Sequence, residues 1–253
     1  MVKLSVSIGC FFKNMPLSEM IVRIARLGYT AVEMWDFPLN TDPKEIRRLC
    51  DSLGISFVAV CPYEFCMNRP ERRAAYLDGL KRGAEVASIL GAKKLVTQVG
   101  EDTGEEREKQ HNAILETLEA SKPILDAHDV TLMLEPLNTL FDHKGYYLGT
   151  SSEGFALVEE SAHPHIKLVY DIYHMQIMEG NVIPTVTANL DKIAHLHAAG
   201  HPGRHELWDG ENDYRNRFAA IDRAGSEGFC GLEYRPLLSP EDSLARAIQT
   251  YGK

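Results

Sequence analysis

Long apolar runs are missing from this chain. No stretch of its 253 residues approaches the 18 consecutive apolar residues of a membrane span. The opening Met1-Val2-Lys3-Leu4 runs straight into a strand pattern, with no basic segment and apolar stretch of the kind that targets export. The expectation is a soluble, unexported, cytoplasmic protein with no membrane partner. Positive charge is also short. Lys and Arg number 27 against 36 Asp and Glu, and a net charge of −9 repels phosphates, which argues against a nucleic-acid partner. Cysteine is sparse: Cys10, Cys50, Cys61, Cys66 and Cys230 make an odd count without CxxC spacing, so a reduced thiol set is expected, and a thiolate-rich zinc site is not. Gly9-Cys10-Phe11-Phe12-Lys13 after the first strand is not a glycine-rich dinucleotide turn, and no Walker-type phosphate loop occurs. Low-complexity segments and linkers are absent. With 44% hydrophobic and 25% charged residues the chain sits near the globular average, so one domain over residues 1–253 is expected rather than disorder.

What is present is alternation. Strand-like runs at Leu4–Ile8, Ala31–Met34, Ile55–Val60, Lys94–Val99, Val130–Glu135, Lys167–Asp171, Ile193–His197 and Phe229–Tyr234 are each followed by helical periodicity. Asp42-Pro43-Lys44-Glu45 reads as a capped helix start, Ser151 or Ser152 as another cap, and Pro123 as a break or kink in a helix over Glu105–Ala127. Eight strand-then-helix units in one chain predict a (β/α)8 TIM barrel, an α/β fold, rather than a doubly wound sheet. Gly28-Tyr29-Thr30-Ala31-Val32-Glu33 and Gly228-Phe229-Cys230-Gly231-Leu232-Glu233 echo one another, as repeated units would.

Four of those runs end in a group able to bind a divalent cation: Glu135, Asp171, His197 and Glu233, spaced 36, 26 and 36 residues apart, about one βα unit per step. Barrel active sites lie at the C-terminal strand ends. Consecutive strands would therefore deliver three carboxylates and one imidazole to a single mouth, where mutual repulsion calls for a cation. Oxygen-rich ligation with one imidazole suits Mn²⁺, Mg²⁺ or Co²⁺, leaving positions for substrate oxygens. Such an ion polarises a carbonyl and its neighbouring hydroxyl and stabilises an enediolate. Glu135 and Glu233, on opposite sides of the ion, are the expected catalytic acid–base pair.

Leu134-Glu135-Pro136-Leu137-Asn138-Thr139, Tyr170–Gly180, Pro202-Gly203-Arg204-His205-Glu206, Gly210–Tyr214 and Glu233-Tyr234-Arg235-Pro236 resemble hydroxypyruvate isomerases, densely from about Leu132 to Pro236. That family falls among the xylose-isomerase-like barrels, with ketose 3-epimerases, inosose-processing enzymes and the endonuclease IV type. The resemblance implies that Glu135, Asp171, His197 and Glu233 hold the metal, and that His174 and Arg204 hold substrate oxygens. Two features leave the substrate open. His197 stands where these isomerases often carry Gln and the epimerases carry His, and the Asn138–Gly145 segment is one residue longer, with Asp142 as its acidic group. The expected activity is isomerisation of a small hydroxy-carbonyl acid or sugar, such as hydroxypyruvate to tartronate semialdehyde. The alternatives are ketose 3-epimerisation, an endonuclease IV-type nuclease, or cation binding without turnover. A homo-oligomer, dimer or tetramer, is the expected assembly.

Further pocket candidates are Asn138, Glu33, Trp35 and Tyr63, with Phe65 and Gln98 beside them. His195, two residues before His197, is expected to face a helix as a structural residue.

Overall fold

The apolar runs fold as short strands buried on both faces, the pattern of a parallel sheet covered by helices. The computed structural model describes residues 2–252. Its strands are β1 (Lys3–Ser7), β2 (Ala31–Met34), β3 (Ser56–Val60), β4 (Lys94–Thr97), β5 (Thr131–Leu134), β6 (Ile166–Asp171), β7 (Ile193–Ala198) and β8 (Phe229–Leu232). Each pairs in parallel with its neighbours in sequence, and β8 returns to β1, closing an eight-stranded barrel. The helices are α1 (Ile8–Phe11), α2 (Leu17–Arg26), α3 (Pro43–Leu53), α4 (Arg73–Leu90), α5 (Arg107–His128), α6 (Ser151–Ser161), α7 (Ile172–Met178), α8 (Val182–Ala188), α9 (Tyr214–Arg223) and α10 (Pro240–Tyr251). Among the described residues no helix is long and apolar enough to cross a membrane.

Local chemistry sets the helix ends. Asp42 accepts a hydrogen bond from the Lys44 N–H at 2.9 Å, Pro43 begins α3, and Gly54 ends it with φ at 66°. At α6 the cap is Thr150, which accepts from Glu153 N–H, rather than Ser151 or Ser152. Ser151 is already helical, and its hydroxyl donates to Glu179 at 2.6 Å. Pro123 does not end α5. Leu118 and Leu125, buried on either side of it, hold the helix against the barrel.

Two apolar clusters result. The larger lies between strands and helices. The smaller includes Ala31, Ala59, Val96, Met133 and Val169. Ala31, Met133 and Val169 lie two residues before Glu33, Glu135 and Asp171, so they share those side chains' face, the barrel interior. Register then sets the level of the polar groups: Asp171 pairs with His197, and His197 with Gly231. Glu135 N–H donates to Thr97 O and Glu233 N–H to Ala198 O, so both glutamates continue the ladder just past their strands.

Candidate active site

At the C-terminal end of the barrel one ligand atom each from Glu135, Asp171, His197 and Glu233 lies within 4.8 Å of the others, all four side chains buried. His197 Nδ1 is 3.2 Å from Glu135 Oε1 and 3.3 Å from Glu233 Oε2. Asp171 divides its labour. Its Oδ1 caps α7, accepting from Tyr173 N–H at 2.7 Å, while buried Oδ2 has no hydrogen-bond partner. Glu233 Oε2 is likewise without a hydrogen bond, although the Arg204 guanidinium lies 3.0 Å away.

Three carboxyl groups in so small a dry volume resist ionisation together. Burial pushes Glu135 up to about 7, with Glu233 and Asp171 adding to it against His197. Burial and Glu233 push Asp171 up to about 6. Burial also acts to raise Glu233, but Arg204 and His197 outweigh it and hold it below the usual carboxylate range. His197 is pushed well above the usual histidine range, since Glu33, Glu135 and Glu233 outweigh its burial. Protons held by Glu135 and His197 offset part of the cluster's negative charge. The donor set, rich in carboxylate oxygen with one imidazole and two orphaned oxygens, fits a divalent cation.

His174 is fully buried, and burial, with Arg204 and His143, holds its basicity well below normal, so it is neutral. Its tautomer follows from its partners. Asn138 backbone N–H donates to Nδ1 at 3.2 Å and Asn138 Nδ2 donates to it at 2.7 Å. Nδ1 is thus the acceptor, and the proton sits on Nε2, which has no hydrogen-bond partner and lies 3.5 Å from Asp171 Oδ2. Asn138 itself has nothing left for a substrate. Its Nδ2 also donates to Asp142 at 2.7 Å, and its Oδ1 accepts from Phe141 and Asp142 N–H. Asn138 therefore organises the loop after β5 and holds His174 in place.

Arg204 sits at a positive φ of 58° in the loop after β7, donates through Nε to the Glu233 carbonyl, and lies over the Tyr173 ring at 5.4 Å. Trp35 packs edge-on to the His197 ring, centroids 5.5 Å apart. Tyr63 is half-buried, with Arg82 over its ring at 5.2 Å and its hydroxyl directed to the Phe37 carbonyl.

Glu33 and His195 are deeper. Glu33 is 3% exposed, with Oε1 3.2 Å from His197 Nε2 and Oε2 2.7 Å from His195 Nε2. It lies against the far side of the His197 ring rather than at the open mouth. His195 does not face a helix either. Residues i and i+2 of a strand share a face, so His195 points into the barrel with His197. Reading the sequence also passed over Tyr173, whose hydroxyl donates to Asp142 at 2.8 Å, and His143, whose ring lies 5.3 Å from that of His174. It missed Cys10 as well, a thiol that burial and Glu233 push up to about 12. Tyr173 lay in plain view between Asp171 and His174; Cys10 had no motif to mark it.

A family model described as xylose isomerase-like TIM barrel matches residues 21–251. The chain belongs to that family. Within it, the chain is 29% identical to hydroxypyruvate isomerase of Escherichia coli K12, covering 96% of this chain and 97% of that protein. It is 28% identical to 2-oxo-tetronate isomerase of Cupriavidus necator, covering 93% and 94%. Among solved structures, one described as an AP endonuclease, family 2, from Brucella melitensis superposes with a TM-score of 0.93 at 24% identity over the whole of both chains. At that identity the likeness is one of fold. The xylose isomerase-like barrels thus share this scaffold, and the relatives similar over almost the whole chain carry isomerase names.

Proposed function

We propose that the protein is a divalent-cation-dependent isomerase that moves a carbonyl between neighbouring carbons of a small 2-oxo acid, hydroxypyruvate or a close relative. The observation that carries this reading is the buried cluster itself: two glutamates reach one imidazole nitrogen from separate strands, with orphaned carboxylate oxygens beside them. Glu135, Asp171, His197 and Glu233 would hold Mn²⁺, Mg²⁺ or Co²⁺. When bound, that ion supplies Lewis-acid polarisation of the substrate's carbonyl and vicinal hydroxyl.

The chain's own groups then divide the work. Glu233, kept ionised by Arg204, takes the carbon-bound proton. Glu135, from the strand beyond Asp171 and His197, gives a proton to the former carbonyl carbon while the hydroxyl proton passes from one enediolate oxygen to the other. Exchange with water then resets the two carboxyl groups. Positioned acid–base groups of this kind contribute roughly 10²–10⁴ in rate. His174 donates Nε2–H to a substrate oxygen, the one direction its tautomer allows. Arg204 supplies the positive charge that an acidic substrate needs, and Trp35 closes the apolar side.

A second reading, epimerisation at a single carbon, draws on His197, the residue type that the resemblance associates with ketose 3-epimerases. Turnover in D₂O with Mn²⁺ separates the two. Label in the product on the carbon that was the carbonyl marks isomerisation, and label on the inverted carbon beside a retained carbonyl marks epimerisation. Cation-loaded protein that labels neither 2-oxo acids nor ketoses would end both readings. A nuclease reading is weak, because a chain of net charge −9 has no excess positive charge to hold a polyphosphate backbone.

A further inference from the structure

We propose that Glu33 is a positioning residue for the cation centre: it fixes His197 in the Nε2-protonated form, so that Nδ1 is the atom offered to the ion. The inference rests on the reading above that the cluster holds a cation. Nδ1 of His197 faces Glu135 and Glu233, while Nε2 points to the opposite side, 3.2 Å from Glu33 Oε1. Both Nε2 and Oε1 are buried, and neither has a hydrogen-bond partner. A neutral imidazole that ligates through Nδ1 carries its only ring proton on Nε2, and a buried N–H must find an acceptor. Glu33 Oε1 is the acceptor within reach.

The carboxylate is itself anchored. Its other oxygen lies 2.7 Å from His195 Nε2 and accepts from Ser5 Oγ at 3.3 Å. The His195 ring stands edge-on to that of His197, centroids 5.1 Å apart, so the pair of rings and the carboxylate form one packed unit. Gly231 completes it. A Cβ at that position would lie 1.9 Å from Glu33 Oε1 and 2.8 Å from His197 Cδ2, so β8 carries glycine where the carboxylate meets the ring. Glu33, His195 and His197 could also be taken as a second cation site, since their ligand atoms cluster within 4.8 Å. The 2.7 Å separation and the Ser5 contact on the same oxygen favour hydrogen bonds there instead.

The test compares EDTA-stripped wild-type protein with Glu33→Gln, Glu33→Ala and Gly231→Ala. Mn²⁺ affinity is measured by calorimetry, fold by circular dichroism, and the His197 tautomer by ¹⁵N NMR of Mg²⁺-loaded protein. Expected results are one Mn²⁺ per wild-type chain, an Nε2-protonated His197, and affinity about 10–100-fold weaker in folded Glu33→Ala, as for other outer partners of metal-bound histidine. Glu33→Gln is expected to retain part of the affinity, because its amide oxygen still accepts. Gly231→Ala, which displaces the carboxylate, is expected to weaken binding too. Unchanged affinity in both Glu33 variants, an Nδ1-protonated wild-type His197, or a second bound equivalent of Mn²⁺ overturns the proposal. If the Glu33 variants fail to fold, the tautomer in wild-type protein decides alone. Wild-type protein that takes up no Mn²⁺ sinks the cation-dependent function as well, whereas unchanged affinity in the variants sinks this inference only.

Discussion

His174 can present only one face to a substrate, because a backbone N–H and an amide group of Asn138 converge on its other nitrogen. Replacing Asn138 by Ala leaves the Phe141 and Asp142 N–H groups without their acceptor, while His174 Nδ1 and Asp142 each lose one of two donors. Each orphaned group costs on the order of 1–3 kcal/mol. Asn138→Ala is thus expected to unfold at lower denaturant concentration and to raise KM, as shown by urea titration and steady-state kinetics. Glu233→Gln keeps the shape but cannot take a proton. Turnover is expected to fall by about 10²–10⁴, and unchanged kcat with bound Mn²⁺ would remove Glu233 from the reaction. At this scale the sequence displayed residue types but not depth. Glu33 closes a strand as Glu233 does, yet it lies against the far side of an imidazole. The missing Cβ at Gly231 leaves the room that the Glu33 carboxylate occupies.

The elements were legible where hydrophobic period and turn chemistry agreed. Asp42, Pro43 and Gly54 bound α3 just where their preferences place them. At the end of β7 a lone histidine beside a cluster residue gives no outward signal of its depth: a step of two residues keeps His195 on the face of His197, and the structure buries it beside Glu33. At α6, three consecutive hydroxyl residues competed for the cap. Thr150 holds it because Ser151 is drawn into the helix by Glu179, which accepts from both its N–H and its hydroxyl. Thr150→Ala is accordingly expected to cost about 1 kcal/mol, and Ser152→Ala, at an exposed position, within about 0.5 kcal/mol of zero. Paired denaturation curves check the difference. Pro123 misled for a tertiary reason, since apolar contacts on both sides of it offset the lost hydrogen bond.

For the molecule as a whole, the closed barrel follows from eight repeats of one unit, and so does the meeting of four distant side chains at one rim. Their shared protons have a global effect. Glu135 titrates near 7 against an ordinary 4.5, and Asp171 near 6 against 3.8. Between those values the folded state holds protons that the unfolded chain has released, so stability falls as pH rises through the window. The upward shift of His197 acts in the same direction, the downward shifts of buried His174 and His195 oppose it in the same window, and that of Glu233 opposes it only at lower pH. Glu135→Gln, which removes the largest of the upward carboxyl shifts, is therefore expected to make the stripped protein's melting temperature fall less, or rise more, than wild type's between about pH 5 and about pH 7. Mn²⁺, which favours the ionised carboxylates, is expected to raise the melting temperature more at the higher pH. Thermal melts with and without the ion check both statements, and a pH-independent gain would contradict them.

Ring closure has a bearing on biosynthesis. The four-residue cluster draws one wall each from β5, β6, β7 and β8, and β8 must also seal against β1. A nascent chain on the ribosome has no complete trap for an ion until its eighth strand has emerged and docked. On the proposed reading, the full set of four ligands exists only once β8 has docked, and fragments ending before Gly231 would lack the last glutamate and leave the ring open.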